Sequence, residues 1–509
     1  MPPTRRNLPA TPVLVVGLVA AKILFHLLTA NRYGIFRDEL YYLACSEHLD
    51  WGYVDQPPLI AVVAWIVRHV FGESLVGLRL IPAIAGGATV WLTAKFAREL
   101  GGGPFAQVLA ALSALAVPVY LIMHHWLTMN AWEPLIWLAC AWCLVRAINR
   151  SEPGYLIWLG LLIGVGLQNK YTTVFLAMAL GIGLIATSGR RFIMRPQLWI
   201  GVVLAFIIFL PNLIWLMRHN FPFLELMHNI RAGNRDVVRG PVVFVLDQIM
   251  IVNPVLAPLW IGGLFWLAVS QQGKYRLFAI AYVVMLVTFI LLRGKNYYLV
   301  SAYPMLLAAG AVAFDSLTAQ KWRWIRPVYV GLMVVATVIL APTVSPILSP
   351  EKAVAYQKAI GIEPPKTENQ KTGPLPQYFA DEFGWEDMAR EVSRIYHSLP
   401  AEERPHTAIF ANGYGEGGAI DFFSDRYGLP KAIGIHQNYW LWGPRDYDGR
   451  TVIVLRSDGS GDRKYFRSVE VVGRVGHPYS RRDEHFDVFL CRGMNVDLRE
   501  LWPKIKKWN

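Results

Sequence analysis

The sequence predicts a multi-pass α-helical membrane protein with a C-terminal extracytoplasmic α/β domain. The 509-residue chain is 54% hydrophobic and only 17% charged, and it contains long apolar runs, which excludes a soluble globular composition. Its net charge of +13 arises in residues 1–345, where 26 Lys and Arg face 13 Asp and Glu, whereas residues 346–509 hold 23 of each. Pro-rich segments begin at 346, so we expect a second domain there.

Residues 1–345 form the predicted transmembrane domain. A helix needs about 20 apolar residues to cross about 30 Å of hydrocarbon. The first run is too long for a signal peptide and lacks a small-residue cleavage site, so we interpret it as a membrane helix. About eleven spans are predicted, near residues 12–30, 76–97, 105–122, 129–148, 155–169, 171–187, 198–216, 249–269, 277–292, 298–314 and 327–345.

The loops between these spans indicate an orientation. With a cytoplasmic N-terminus every inward loop is basic, as the positive-inside rule requires. We therefore expect a cytoplasmic N-terminus and an extracytoplasmic C-terminal domain, which lies in the periplasm if the host is Gram-negative. The basic inward loops account for the excess of positive charge in residues 1–345, so this excess does not indicate nucleic-acid binding. The inward residues are Arg5, Arg6, Lys95, Arg98, Arg146, Arg150, Arg190, Arg191, Arg195, Lys274, Arg276, Lys321, Arg323 and Arg326.

Two outward loops are unusually long. The first, residues 31–75, contains helix-like stretches at 37–49 and 59–71 that we expect to lie along the membrane surface. The second, residues 217–248, is basic against the usual rule, which suggests ligand binding. Its cations are Arg218, Arg231, Arg235 and Arg239.

Residues 346–509 alternate helical and strand patterns, which predicts a small α/β domain. An amphipathic helix is expected at 385–398, and strands at HTAIFAN and TVIVLRS. GYGEGG lacks dinucleotide-binding spacing, so a tight turn opening a helix is favoured over nucleotide binding. The aromatic segment HQNYWLWGPRDY fits either a domain core or a platform for stacking sugars.

Acidic residues mark the first outward loop. Asp38 and Glu39 are adjacent in FRDELYY, and Asp55 follows in YVDQPPL. These acids could simply pair with Arg32 or Arg37 or cap a helix. Alternatively, a carboxylate placed there can act as a general base on a sugar or lipid hydroxyl, because partial burial raises its pKa.

Cations gather at the outer ends of two predicted helices. Lys170 ends the stretch GVGLQNK, and RGKNYY contains Arg293 and Lys295 beside Tyr297 and Tyr298. Ammonium and guanidinium groups on one side of the membrane are suited to clamp a phosphate. Snorkelling to the membrane surface is the alternative for each cation taken singly.

The stretch HHWLTMNAWEP places Glu133 inside an apolar run, close to Asn130. Intramembrane acids are costly and suggest function. The adjacent His124 and His125 cannot share one helix face, so they alone do not predict a zinc site. No cofactor is required by these patterns, although acids can hold a divalent metal ion and this remains open.

Several stretches, taken in order, resemble bacterial membrane glycosyltransferases related to the protein mannosyltransferases and lipid A aminoarabinose transferases, the group with the GT-C fold. They are FRDELYY with YVDQPPL, TMNAWEPLIWL, GVGLQNKYTT and RGKNYYLVSAYPMLL. NGYGEGGAIDFF and NYWLWGP are similar to a subgroup with a C-terminal outer domain. The resemblance covers most of the chain.

This resemblance implies a sugar donor carried on a polyprenyl phosphate. By it, Asp38 is the catalytic base, assisted by Glu39 and Asp55. Gln56 stands where aminoarabinose enzymes have lysine, and Asn130 where many members have aspartate, so neither donor choice nor metal use can be transferred. The residues expected near the donor phosphate are Lys170, Arg293, Lys295 and Tyr297, and those expected near other parts of the substrates are Glu133, Asn130, Gln56 and Tyr298.

The expected activity is an inverting glycosyl transfer from the lipid carrier to an extracytoplasmic glycolipid, glycan or protein. Membrane lipids are also expected partners, and no binding to nucleic acid is expected. The alternative is a transporter or flippase for polyprenyl-linked glycolipids, which should show paired broken helices and charges near mid-membrane.

Overall fold

The computed structural model describes residues 10–361, 366 and 368–509, so Arg5 and Arg6 lie outside the described residues. The chain divides into two compact units. The helical unit comprises Met1–Ala30, Val76–Ile214 and Val238–Ile347. The sheet unit comprises Asn31–Leu75, Trp215–Val237 and Leu348–Asn509. It therefore contains the predicted C-terminal domain together with two of the outward loop regions, which composition had not assigned to that domain.

Helices dominate the chain. Short 3₁₀ turns connect several of them, and the longest such turn is Asn296–Ala302. In chain order the α-helices are α1 Ala10–Thr29, α2 Arg37–Glu47, α3 Leu59–Phe71, α4 Leu75–Glu99, α5 Pro104–Leu115, α6 Pro118–Met123, α7 Glu133–Arg150, α8 Tyr155–Asn169, α9 Thr173–Ile185, α10 Pro196–Arg218, α11 Pro222–Ala232, α12 Pro241–Val252, α13 Ala257–Val269, α14 Arg276–Leu291, α15 Tyr303–Thr318, α16 Ile325–Val344, α17 Pro350–Ile360, α18 Gln377–Ala380, α19 Trp385–Ser398, α20 Tyr414–Tyr427, α21 Asn438–Trp442 and α22 Leu498–Leu501.

Within the described residues, seven helical stretches are long and apolar enough to cross a membrane. Each corresponds to one of the eleven predicted spans. Three further predicted spans are the shorter apolar helices α8, α9 and α14. The long stretches are Thr11–Thr29, Leu75–Glu99, Met129–Arg150, Pro196–Arg218, Pro254–Gly273, Asn296–Thr318 and Ile325–Val344.

Prolines correct two of the predicted boundaries. The span predicted at 105–122 is broken between α5 and α6, because Pro118 has no N–H and disfavours a helical residue before it. The span predicted from 249 begins instead near Pro254, after Asn253 adopts φ +95°. The second outward loop is consequently not a loop throughout, since it contains α11 and most of α12.

Glycines set the packing of the helical unit. Helices α13 and α15 approach so closely that a methyl group added to Gly263 would overlap the backbone of Leu306, and one on Gly310 would overlap Leu259. Small residues at such crossings allow close backbone contact, which is how helices associate in lipid. The buried core of this unit is accordingly continuous across α4 to α9 and α12 to α15.

The sheet unit confirms the predicted α/β pattern. Helix α19 has the predicted bounds, and a five-stranded sheet has the order β2-β1-β3-β5-β4. Strand β1 pairs in parallel with β2 and β3, whereas β5 is antiparallel to β3 and β4. The hairpin formed by β4 and β5 was not predicted. The strands are β1 Thr407–Ala411, β2 Ile433–Gly434, β3 Thr451–Leu455, β4 Phe466–Val475 and β5 Phe486–Met494.

Candidate active site

Asp38 lies in the first turn of α2, which begins at Arg37 as the sequence predicts. Its side chain is half-buried, and its Oδ1 atom accepts a hydrogen bond from the Tyr414 hydroxyl at 2.8 Å. Oδ2 makes no hydrogen bond within the described residues. Arg37 forms no ion pair with Asp38 there, and its guanidinium instead lies over the Tyr414 ring, 4.5 Å from the centroid.

Burial raises the pKa of Asp38, because a charged carboxylate is poorly solvated inside the protein. The hydrogen bond from Tyr414 and the positive charge of Arg37 oppose this by stabilising the ionised form. The resulting carboxylate is a stronger base than one in water, yet it keeps partners that favour its charged state. This combination is suited to accept a proton from a hydroxyl.

Asp55 has a similar but more strongly shifted environment. The Tyr41 hydroxyl lies 3.0 Å from Asp55 Oδ1 and 3.1 Å from Asn438 Oδ1, and its single proton can be donated to only one of them at a time. Burial raises the pKa of Asp55 to about 7, and the charge of Asp38 adds to the shift. A carboxyl group with a pKa near neutral pH can either hold or release a proton.

Glu39 lies at the start of α2, where it contacts the helix backbone. Its side chain is fully buried, and Oε2 accepts the Phe36 backbone N–H at 2.9 Å at the start of α2. A carboxylate placed this way satisfies one of the free N–H groups of the first helical turn. This contact helps to hold the start of α2, and the predicted assistance of Glu39 to the base stays a prediction.

Gln56 is also fully buried, beside the acids in sequence. Its Nε2 lies 3.8 Å from the Cys45 sulfur, and its backbone oxygen accepts the Tyr53 N–H at 3.0 Å. The Gln56 Oε1 atom has no hydrogen-bond partner among the described residues. The predicted contact between Gln56 and substrate stays a prediction.

The glycine motif explains how Tyr414 reaches Asp38. GYGEGG opens helix α20, as predicted, with Gly413 as the extended residue before it. A methyl group on Gly415 would lie 2.9 Å from the Arg37 side chain, and one on Gly418 would lie 2.8 Å from the Leu40 backbone. The glycines thus let α20 pack directly on α2. They serve helix packing, which the sequence did not indicate.

The aromatic segment belongs to the domain core. Tyr439 is buried and its hydroxyl donates to Asp421 Oδ2 at 2.8 Å. The Trp440 and Trp502 indole N–H groups each donate to the other residue's carbonyl at 2.9 Å. Trp442 stacks on His48 with ring centroids 4.4 Å apart. These partners favour the core interpretation over a sugar platform.

In the helical unit, Lys170 gathers four of the other predicted residues. Its ammonium donates to Glu133 Oε2 at 3.0 Å and to Asn130 Oδ1 at 2.8 Å. It also lies 4.8 Å from the Tyr298 ring centroid and 5.8 Å from that of Tyr297. Helix α8 ends at Asn169, so Lys170 is the residue at which the chain leaves the helix.

The charge of Lys170 is matched by Glu133, whose other oxygen accepts the Thr172 hydroxyl. Two ammonium protons are used by Glu133 and Asn130, which leaves one for a ligand. Lys170 can therefore donate one charge-assisted hydrogen bond to a phosphate oxygen while its position is fixed by the protein. This is weaker than the predicted clamp of several cations.

Arg293 lies outside this cluster in the part of the chain that the structure describes. Arg293 is exposed and forms no side-chain contact with Lys170 within the described residues, and Lys295 is half-buried. In the second basic segment, Arg235 pairs with Glu368 at 3.2 Å and Arg239 pairs with Asp247 at 3.3 Å. These pairs reduce the free positive charge that the sequence suggested for ligand binding.

His124 and His125 are buried beside His26, with ring centroids 6.4 and 6.2 Å from His26. Across the part of the chain that the structure describes, no group of three or more His, Cys, Asp or Glu side chains is arranged to hold a metal ion. The possible use of a divalent metal ion stays a prediction.

Known proteins share parts of this sequence. The family model described as dolichyl-phosphate-mannose-protein mannosyltransferase matches residues 55–215. A lipid A galacturonosyltransferase, RgtD of Rhizobium johnstonii, is 24% identical over 255 residues, which are 49% of this chain and 53% of that protein. An undecaprenyl phosphate-α-4-amino-4-deoxy-L-arabinose arabinosyl transferase of Pseudomonas fluorescens is 25% identical over 185 residues, which are 33% and 32% of the two chains. The matches thus span about half or less of these relatives.

Similarity in structure extends further. The crystal structure of ArnT from Cupriavidus metallidurans, bound to undecaprenyl phosphate, superposes with a TM-score of 0.64 and 14% sequence identity. The superposition covers 95% of this chain and 98% of that one. ArnT is a GT-C membrane protein, which confirms the predicted fold class. The chain is therefore a multi-pass membrane protein with the GT-C fold.

Proposed function

We propose that the protein is an inverting glycosyltransferase that moves a sugar from a polyprenyl-phosphate carrier to an acceptor hydroxyl outside the cytoplasm. The observation that carries this proposal is Asp38, a half-buried carboxylate with a raised pKa and one oxygen without a hydrogen bond. The reported relatives are named as transferases of sugars to lipid A or from undecaprenyl phosphate, and none is a transporter or flippase.

The reaction follows from the chemistry of these groups. Asp38 Oδ2 takes the proton of the acceptor hydroxyl as that oxygen attacks the anomeric carbon. The bond between the anomeric carbon and the carrier's phosphate oxygen breaks, and polyprenyl phosphate leaves with the bonding electrons. Attack opposite to the leaving group inverts the anomeric configuration. No nucleotide sugar is needed.

Lys170 is the proposed partner of the carrier's phosphate. Its remaining ammonium proton can donate to a phosphate oxygen, and Tyr297 and Tyr298 hold the ammonium beside their rings. A hydrogen bond to this oxygen becomes stronger as negative charge develops on the leaving group, which lowers the barrier. Glu133 and Asn130 then act by fixing Lys170, and a divalent metal ion is not required by this scheme.

The proposal includes a location. The basic inward loops favour a cytoplasmic N-terminus in a bacterial inner membrane, with the C-terminal domain on the opposite side. The acceptor is accordingly a glycolipid, a glycan or a protein in the cell envelope. Membrane lipids surround the helical unit.

The test measures transfer of labelled sugar from a panel of polyprenyl-phosphate sugars into lipids and proteins of membranes that contain equal amounts of each variant. Asp38→Asn keeps an acceptor for Tyr414 but cannot take a proton, so we expect kcat to fall by about 10²-fold to 10⁴-fold. The kcat of Asp55→Asn should fall by less, because burial raises the pKa of Asp55 to about 7 and so favours its neutral form more than that of Asp38.

Thermal unfolding of the purified variants is the control for folding. Equal transfer by wild type and Asp38→Asn would refute Asp38 as the base, and loss of transfer only in Asp55→Asn would move that role to Asp55. If correctly folded wild type transferred no sugar from any donor, the proposed activity would be wrong.

A further inference from the structure

The hydrogen bond between Tyr414 and Asp38 joins the C-terminal domain to the proposed base. We infer that Tyr414 is a positioning residue for the reaction: its hydroxyl orients the Asp38 carboxylate and leaves Oδ2 as the oxygen that takes the proton. This inference rests on the proposed function, in which Asp38 is the base. It gives the C-terminal domain a direct part in catalysis.

Three side chains pack against the Tyr414 ring: His436, Tyr41 and Arg37. Its plane stacks on His436, with centroids 5.2 Å apart and 8° between the planes, and Tyr41 packs at 4.8 Å. The Arg37 guanidinium lies 4.5 Å from its centroid. A phenol fixed in this way loses little further freedom when it forms its hydrogen bond, so the bond orients the carboxylate effectively.

The backbone of Tyr414 is fixed as well. Its N–H donates to His436 Nδ1 at 3.2 Å, so Nδ1 must be unprotonated and Nε2 must carry the hydrogen. Nε2 then donates to the Asn509 carbonyl at 3.0 Å. The neutral histidine therefore connects the start of α20 to Asn509 and holds Tyr414 over α2.

The direction of the hydrogen bond is also determined. Burial raises the pKa of Tyr414 far above neutral pH, so the phenol keeps its proton and donates to the carboxylate. This donation stabilises ionised Asp38 against the effect of burial. With Oδ1 occupied, Oδ2 is the basic atom.

A second tyrosine in the same domain shows the contrast. Tyr439 donates to Asp421 Oδ2 at the same distance, 2.8 Å, but Asp421 Oδ1 already accepts the Ala432 N–H at 2.7 Å. Asp421 is buried and each of its two oxygens accepts a hydrogen bond from the protein, as expected of a structural acid. Asp38 differs because it is half-buried and keeps one oxygen unused.

The experiment compares Tyr414→Phe with Tyr439→Phe in the full-length enzyme. Both variants lose one phenol donor to a carboxylate and keep the ring. Tyr414→Phe should raise the pKa of Asp38, so the acidic limb of the pH profile of kcat/KM should move up by about one pH unit. We expect kcat on the plateau to fall several-fold with the donor KM unchanged, whereas Tyr439→Phe should change only thermal stability.

A readout without catalysis accompanies these rates. Carbodiimides react with protonated carboxyl groups, so labelling of Asp38 against pH, measured by peptide mass spectrometry, reports its titration. Its midpoint should move up by about one pH unit in Tyr414→Phe and stay in place in Tyr439→Phe. Unchanged labelling and pH profiles in Tyr414→Phe would overturn the inference, while an inactive Asp38→Asn would still support the proposed function. An active Asp38→Asn would refute the base itself and this role with it.

Discussion

At the level of single residues, a tyrosine hydroxyl contacts each of the two acids Asp38 and Asp55 of the first loop. Asp38 accepts from Tyr414 and Asp55 from Tyr41, and these two tyrosine rings pack on each other with centroids 4.8 Å apart. Each acid therefore has a phenol that supports its charged form. Burial raises the pKa of both acids, and that of Asp55 to about 7.

The chemistry of these residues was largely predictable, whereas their partners were not. Acids in a loop beside a membrane already suggest a base, and a lysine at a helix end already suggests a phosphate. Tyr414 is 376 positions from Asp38 in the chain, and no local pattern relates them. The pairing of Lys170 with Glu133, 37 positions apart, is likewise visible only after folding.

Lys170 provides a prediction at this scale. Lys170→Met removes the ammonium and leaves the buried Glu133 without its cation, which should lower the free energy of unfolding by about 3 kcal/mol. The double variant Lys170→Met/Glu133→Gln should recover much of this stability, because no buried charge remains. If Lys170 binds the carrier's phosphate, both variants should show a donor KM about tenfold higher, measured by initial rates. A normal donor KM in the double variant would contradict phosphate binding by Lys170.

At the scale of elements, glycines and prolines decide where helices break and how closely they pack. Pro118 and Pro254 begin new helical segments within apolar runs that composition alone treats as continuous. Their effect is local and could be anticipated from the missing N–H. The function of Gly415 and Gly418 depends on a distant partner, α2, so the same GYGEGG letters permit several interpretations until that partner is known.

Gly418 tests this packing. In Gly418→Ala the new methyl group would lie 2.8 Å from the Leu40 carbonyl carbon, so α20 must move away from α2. We expect a loss of about 1–3 kcal/mol in the free energy of unfolding, together with reduced transfer. Gly461→Ala is the matched control, since nothing lies within 4 Å of its added methyl group, and it should stay within about 0.5 kcal/mol of wild type. Equal stability of the two variants, measured by thermal unfolding, would show that α20 tolerates the methyl group.

At the scale of the whole molecule, the sheet unit is built from three separated stretches of chain. The side chains of Val54, Leu226 and Trp508 form one small apolar cluster, although each comes from a different stretch. Asn229 also donates to the Trp508 carbonyl at 2.7 Å. The C-terminal sequence therefore depends for its packing on the two loop regions that precede it.

This dependence predicts the behaviour of an isolated fragment. Residues 348–509 expressed alone would expose the α20 face that packs on α2 and the Trp508 side chain that packs on Val54 and Leu226. We expect this fragment to aggregate or to be digested much faster by protease than the same residues in the intact protein. Limited proteolysis with mass spectrometry makes the comparison. A soluble fragment with unchanged protection would show that the sheet folds without the loop regions.

Local patterns were enough to predict the membrane class, the helices of ten of the eleven spans and the α/β character of the C-terminal domain. Hydropathy and periodicity act within a few helical turns, so they can be read from neighbouring residues. The sequence also identified residues suited to proton transfer and phosphate binding from their chemical type. The folded chain was needed to see that Glu39 contacts the start of α2, that Glu133 pairs with Lys170 and that Tyr414 donates to Asp38. These assignments depend on contacts between residues far apart in the chain, and such contacts exist only once the chain is folded.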